Sequence, residues 1–269
     1  MNTGFIGIGS MGGMLARGFL REGTFAAENV WLANRSQKRL QDLSRDFPAV
    51  HLASNRQVAA HCDVIFLCVK AGDTSSVLAD MDPELYPGQL LITTTSVIPL
   101  KALEGRVPCR VAKLIPSITQ EIGAGIALLM YGSRVTAEDR RLLEGWLSHI
   151  GRPIVITESQ ARPAISLCSG GPALLSYLLQ SMAEEAVRNN PELSPDLAQT
   201  LVQETLSATV RLMSEANMTL EEIIRRVATP GGMTEQGIEM LSRYVPQAWQ
   251  AVFAASAEKE KKARELLGL

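Results

Sequence analysis

Thr3-Gly4-Phe5-Ile6-Gly7-Ile8-Gly9-Ser10-Met11-Gly12 is the stretch on which the reading of this chain turns. Four strand-like residues run into the pattern G-x-G-x-x-G. Met14, Leu15, Phe19 and Leu20 then recur at helical spacing. A strand, a glycine turn and a helix in that order form the start of a dinucleotide-binding unit. Gly7 permits the tight turn, Gly9 lets backbone approach a pyrophosphate, and Gly12 lets the helix pack on the strand. The unpaired amides of Ser10 and Met11 at the helix start, with the positive end of the helix dipole, suit an anion.

Working outward, further strand-like runs follow: Val30–Ala33, Val64–Val69, Leu90–Thr94, Arg110–Leu114, Ile126–Tyr131 and Ile154–Ile156. Val64–Val69 is apolar throughout, as a strand covered on both faces should be. Strands separated by helical stretches predict an α/β fold, a Rossmann-like doubly wound parallel sheet with helices on both faces. After Glu158 the strand-like runs stop. Apolar residues at helical spacing then predict helices around Leu174–Met182, Leu197–Met213 and Leu220–Val227. A last helix is expected from about Pro246 to Leu267, with the proline in its first turn. The boundary is therefore placed at 158, with a nucleotide-binding domain over 1–158 and a helical domain over 159–269. Broad apolar faces on so short a helical segment predict a homodimer held by the C-terminal helices.

Composition excludes several classes. Lys and Arg number 26 against 28 Asp and Glu, a net charge of −2. Proteins that grip nucleic acid through phosphates carry a basic surplus, so no nucleic-acid partner is expected. No apolar run approaches the roughly 20 residues of a bilayer span, so no membrane partner is expected either. The four cysteines (Cys62, Cys68, Cys109, Cys168) form no C-x-x-C, and the three histidines form no H-E-x-x-H. No metal is expected. Reduced cysteines without a secretory leader point to the cytoplasm.

The second strand ends in Asn34-Arg35-Ser36, where an NAD enzyme would present an acidic residue to the ribose 2′-hydroxyl. A guanidinium there can instead grip a 2′-phosphate with paired hydrogen bonds. The cofactor expectation is NADP(H), with Asn34, Arg35 and Ser36 contributing; the plainer alternative leaves Arg35 solvated on the surface. Lys70 stands at the carboxyl end of a strand, where open α/β sheets bind ligand. It is equally readable as a surface lysine.

Several segments resemble the pyrroline-5-carboxylate reductase family over nearly the whole chain. Val69-Lys70 is similar to its V-K-P-Q, and Ile115-Pro116-Ser117-Ile118-Thr119 stands where the family has M-P-N-T-P. Ser169-Gly170-Gly171-Pro172-Ala173 matches G-S-G-P-A, and Thr229-Pro230-Gly231-Gly232-Met233-Thr234 matches S-P-G-G-T-T. Val107–Ala112, Ile115–Thr119 and Cys168–Ala173 resemble the divergent ComER-type late-competence branch. The resemblance implies a Rossmann domain, a helical dimerisation domain and NADPH-dependent reduction of 1-pyrroline-5-carboxylate, a small imino acid, to proline.

It also implies cofactor contacts from Val69, Lys70 and Ser117. Substrate contacts would come from Gly231, Gly232, Thr234 and Gly171, and the candidate catalytic residues are Thr234 and Ser169. Pro230-Gly231-Gly232 reads either as a nest of amides for the substrate carboxylate or as a tight turn with Thr234 capping the next helix. Ser169-Gly170-Gly171-Pro172 must mark a helix start, a kink or backbone close to substrate, because glycine and proline are costly inside a helix. Departures from the family pattern at Ser117, Cys168, Gly170 and Ala228 favour an alternative: an NADP(H)-binding regulatory protein with little or no turnover. A β-hydroxyacid dehydrogenase would want a lysine early in the helical domain, and none occurs between Lys113 and Lys259.

Overall fold

The computed structural model describes all 269 residues. They form two compact units, Met1–Gly171 with Ala257–Leu269, and Pro172–Ser256. The change of character at residue 158 is a change of element type. The compact units divide elsewhere, because residues 159–171 and the chain end are counted with the sheet.

The strands are β1 (Thr3–Ile6), β2 (Val30–Ala33), β3 (His51–Leu52), β4 (Val64–Leu67), β5 (Leu90–Thr93), β6 (Arg110–Ile115), β7 (Ile126–Tyr131) and β8 (Arg152–Val155). Between them lie α1 (Ser10–Arg21), α2 (Gln37–Asp46), α3 (Asn55–His61), α4 (Ala71–Met81), α5 (Leu100–Glu104) and α6 (Ala137–Ser148), and α7 (Ala161–Cys168) follows. The sheet order is β3-β2-β1-β4-β5-β6-β7-β8. The order reverses beside β1, so the turn after Ile6 opens at the switch point where such sheets bind ligands.

Each central strand buries both faces. Phe5, Leu32, Phe66 and Ile92 join one core, in which Phe5 and Phe66 stack at 4.7 Å and Phe19 and Phe25 close around them. Ile6, Ala33, Ile65, Leu67 and Leu91 point into the other. This two-faced alternation is the reason the strands read as continuous apolar runs.

The sheet is mostly parallel, with one correction. β7 pairs antiparallel with β6, and β8 runs parallel to β7. Residues 116–125 between β6 and β7 hold only a single 3₁₀ turn, Ile118–Ile122. A parallel return needs a crossover of a dozen residues or more, so the chain doubles back instead.

Lys113 on β6 is buried. Its Nζ donates to Glu158 Oε1 at 2.5 Å and to the Ser96 carbonyl at 3.3 Å. The same Oε1 accepts from the Leu100 amide at the start of α5. One carboxylate thus ties the middle of the sheet to a helix start and to the turn after β8. Burial lowers the Lys113 pKa, partly offset by Glu158.

In the second unit α8 (Gly171–Asn189) begins at the sheet unit's last residue. α9 (Pro195–Glu215) and α10 (Leu220–Val227) follow, capped by Ser194 and Thr219, whose hydroxyls accept the amides of Leu197 and Glu222. α11 runs from Met233 to Leu266, so Pro246 lies inside it. This corrects the expected helix start at Pro246. The glycine turn at 231–232 releases the chain into helix earlier, and the proline removes one hydrogen bond from within it. Leu175, Met182, Leu201 and Val210 remain exposed, and α10 and α11 bury no residue. A groove of about 410 Å³ between α8 and α9 is lined almost wholly by such side chains.

Glu158→Ala leaves the Lys113 ammonium with the Ser96 carbonyl as its remaining hydrogen-bond partner, in the opposing fields of Arg264 and Glu260. The expected loss is about 1–2 kcal/mol near neutral pH, reduced from that of a fully buried pair because Glu158 is partly exposed. A lowered folded-state pKa means the cost of the buried charge is complete below that value. It vanishes as pH rises past the ordinary 10.5. Thermal melts of variant and wild type should therefore differ most near neutrality and converge in alkali; a gap that ignores pH would remove the ammonium from the explanation.

Candidate nucleotide and substrate sites

Gly7 closes β1 with φ +93°, and its amide donates to the Ala33 carbonyl at 2.9 Å. A Cβ there would meet the Cys68 carbonyl oxygen at 2.6 Å. At Gly12 a Cβ would lie 2.1 Å from the Gly7 carbonyl oxygen, so only glycine lets α1 sit this close to the turn. Gly9 differs. A Cβ built there meets nothing nearer than Arg39 Nη1, at 3.4 Å. The amides of Ser10, Met11 and Gly12 find no acceptor in the chain. Three unpaired amides at a helix start, beside a glycine with no backbone crowding its face, fit a pyrophosphate.

Asn34 has a structural task. Its Oδ1 accepts the Ile8 amide at 3.0 Å and its Nδ2 donates to the Ser36 carbonyl, which fastens the glycine turn to the end of β2. A cleft of about 670 Å³ opens beside it, and Gly7, Gly9, Asn34, Arg35, Val69 and Lys70 all line it. Arg35 is 90% exposed and reaches to 4.0 Å from Asp73 on α4. Lys70, the residue before α4, is exposed. Ser36 precedes α2 without capping it through its side chain. Cys68 also lines the cleft, with its thiol pushed up to about 12 by burial.

Ser117 does not line this cleft. It is buried, its hydroxyl donates to the Cys168 carbonyl and accepts from Thr119, and its amide is held by Gln120 Oε1. Arg39 and Asn55 line the cleft and were not singled out in the sequence. The available signal for Arg39 was electrostatic. The first turn of α2 contains Lys38 and Arg39 and no acid, against the preference of the helix dipole.

Ser169 caps the end of α7, and its amide and that of Gly170 both donate to the Ile165 carbonyl. The open question about Ser169-Gly170-Gly171-Pro172 resolves as a helix start, since α8 begins at Gly171 with Pro172 in its first turn. In the second unit Gly231 has φ +75°. Its amide donates to Glu235 Oε2 at 2.8 Å, and the Gly232 amide donates to the Thr229 carbonyl at 2.9 Å. Both amides expected to form a carboxylate nest are thus engaged within the chain. The free donors at this turn are the amides of Met233, Thr234 and Glu235. Thr234 is the second residue of α11 rather than its cap, because the helix starts directly after Gly232. No group of three or more His, Cys, Asp or Glu side chains is arranged to hold a metal ion, and no helix is long and apolar enough to cross a membrane.

Residues 2–97 match the family described as NADP oxidoreductase coenzyme F420-dependent, and residues 158–263 match pyrroline-5-carboxylate reductase dimerisation. The chain is 30% identical over 254 residues to ComE operon protein 4 of Bacillus subtilis, covering 94% of this chain and 93% of that one. It is also 30% identical over 266 residues to pyrroline-5-carboxylate reductase 3 of the same organism, covering 98% and 97%. The chain belongs to the pyrroline-5-carboxylate reductase family. Solved members share its fold. The Plasmodium falciparum pyrroline carboxylate reductase with NADP bound superposes with a TM-score of 0.83 at 23% identity, over 100% of this chain and 98% of that one. The Coxiella burnetii pyrroline-5-carboxylate reductase gives 0.85 at 24% identity, over 97% of each.

Gly12→Ala forces a methyl group against immovable backbone. The expected destabilisation is about 3 kcal/mol, the upper end for overpacking, or a fall in Tm of about 6–12 °C. Gly13→Ala, whose Cβ would have neighbours only at 3.5 Å and beyond, is the control and should melt close to wild type. Similar melts for both would mean α1 does not depend on the close approach.

Proposed function

We propose that this reductase-family chain reduces 1-pyrroline-5-carboxylate to proline with NADPH. The observation that carries the reading is the set of unpaired amides of Ser10, Met11 and Gly12 beside Gly9, which lines a cleft that also holds Arg35. NADPH supplies the hydride, which goes to the carbon of a protonated C=N bond. The chain supplies position. The amides of Ser10, Met11 and Gly12 hold the pyrophosphate and Arg35 the 2′-phosphate, with Asn34, Ser36, Val69 and Lys70 shaping the nucleotide cleft and Ser117 acting beyond it from its buried turn. Thr234 and the free amides at the start of α11 hold the substrate carboxylate, with the Gly231-Gly232 turn setting their direction. Ser169 and Gly171, where α7 gives way to α8, are the further candidates for substrate contact. A cyclic imine is basic enough to be partly protonated near neutral pH, so orientation rather than a strong acid catalyst lowers the barrier.

The same reading takes residues 1–158 as the nucleotide domain and 159–269 as the dimerisation and substrate domain of a cytoplasmic homodimer. The exposed apolar faces of α8 and α9 and the match to a dimerisation family support the dimer. The second reading is an NADP(H)-binding regulatory protein with little turnover. It draws on the similarity to ComE operon protein 4 and on the Glu235 carboxylate that occupies the Gly231 amide.

Purified protein with 1-pyrroline-5-carboxylate should consume NADPH, and Arg35→Ala should raise KM for NADPH at least about tenfold more than for NADH. Nucleotide binding by calorimetry without consumption would select the regulatory reading, and equal effects on the two coenzymes would remove Arg35 from the 2′-phosphate. Leu201→Glu places a charge in the α8–α9 groove and should convert the dimer to monomer in light scattering. An unchanged mass would put the interface elsewhere.

A further inference from the structure

We propose that Glu260, near the end of α11, is a positioning residue for the substrate segment Cys168–Gly171, acting through Arg162 on α7. The proposal rests on the reductase reading above and adds to it a residue that works only through another. The last turns of α11 belong to the sheet unit, where Leu267 packs against the second core. The Glu260 side chain is 15% exposed, and its two oxygens serve different helices. Oε1 accepts from Arg264 Nη2 on its own helix at 2.7 Å, and Oε2 lies 3.6 Å from Arg162 Nη1 on α7. Arg264 and Glu260 both act on the Lys113 ammonium, with opposite sign, so the cluster extends to the Lys113–Glu158 pair. Lys113, Arg162 and Arg264 thus share two carboxylates. Without Glu260 the three cations would have Glu158 alone, and Arg162 would face a surplus of positive charge in a partly buried place.

Helix α7 needs such an anchor. It has eight residues, too few to hold a helical shape alone. No side chain caps its start, and its first turn contains Arg162 and no acid, against the preference of the helix dipole. Glu260 supplies from α11 the carboxylate that α7 lacks. From Arg162 the contact passes along the helix. Its Nη2 donates to Ser166 Oγ at 3.5 Å, one turn on, and Ser166 is buried. The Ser166 carbonyl oxygen lies 3.2 Å from the point where a Gly170 Cβ would stand, and the amides of Ser169 and Gly170 both donate to the Ile165 carbonyl. The Cys168 carbonyl accepts the Ser117 hydroxyl at 3.4 Å. A rotation of α7 about its axis would therefore carry Ser169 with it and pull on Ser117. The nucleotide cleft has no residue from α7 or α11 among its walls. A loosened α7 accordingly disturbs the substrate side and leaves coenzyme binding in place.

Steady-state kinetics and hydrogen exchange on the full chain read this coupling, the second without turnover. Glu260→Gln keeps the side-chain shape and removes the charge; Arg162→Met removes its partner. Each should raise KM for 1-pyrroline-5-carboxylate about tenfold. The kcat and the NADPH dissociation constant should stay within about twofold of wild type. The double variant should match either single one instead of multiplying the losses, because both act through one contact. Arg162→Lys should recover part of the loss, since its charge remains. Amides from Ala161 to Gly171 should exchange about tenfold faster in both single variants. Arg264→Met is the control. It removes the partner of Glu260 on α11 itself, so KM and the exchange of α7 should stay near wild type whatever happens to Tm. Unchanged KM and exchange in Glu260→Gln overturns the proposal, and so does a double variant whose losses multiply or an Arg264→Met that raises KM equally. Wild-type protein that consumes no NADPH overturns the reductase reading itself, while the exchange rates still decide whether Glu260 holds α7.

Discussion

Helix α1 rests on the turn after β1 with no room for a methyl group between Gly12 and the Gly7 carbonyl oxygen. That contact sets the direction of the helix axis, and with it the direction of the three unpaired amides at its start. The turn is also fixed from the side, because Asn34 at the end of β2 holds the Ile8 amide. Two neighbouring strands therefore define one patch of positive potential at the carboxyl edge of the sheet. The cleft lies where the strand order reverses, and its cations reach it from β2, α2 and the start of α4. Loss of the close approach would tilt the helix and scatter the amides, whatever the charges around them.

Much of the first unit was legible because its strands are buried on both faces. Phe5 and Ile6, or Phe66 and Leu67, point into opposite cores, so each strand appears as an unbroken apolar run bounded by turns. His51–Leu52 escaped notice because it is two residues long and exposed, leaving no hydrophobic signature. The direction of β7 was hidden for another reason. Apolar runs do not encode polarity, and only the shortness of residues 116–125 could have shown that no crossover fits there. Pro246 misled because proline suits a first turn; a helix anchored earlier, by Gly232 and Met233, can carry it inside.

The site was legible where chemistry depends on backbone. Gly7 has positive φ, Gly12 lies against a carbonyl, and Gly9 has only the end of the Arg39 side chain against its face. Side-chain assignments were harder. Asn34 is occupied with the turn, Ser117 is buried in a turn of its own, and the Gly231 and Gly232 amides are engaged by Glu235 and Thr229. Sequence spacing gives the donors, but only the fold shows which donors remain free. Arg39 carried a signal of a different kind, a cation against a helix dipole, which becomes informative once the start of α2 is known.

Cys68 lines the nucleotide cleft, and burial pushes its thiol up to about 12. At physiological pH almost no thiolate exists there, and thiolate is the species that peroxides and alkylating agents attack. Held as a thiol, Cys68 gives the cleft wall a small, nearly apolar surface instead of a nucleophile.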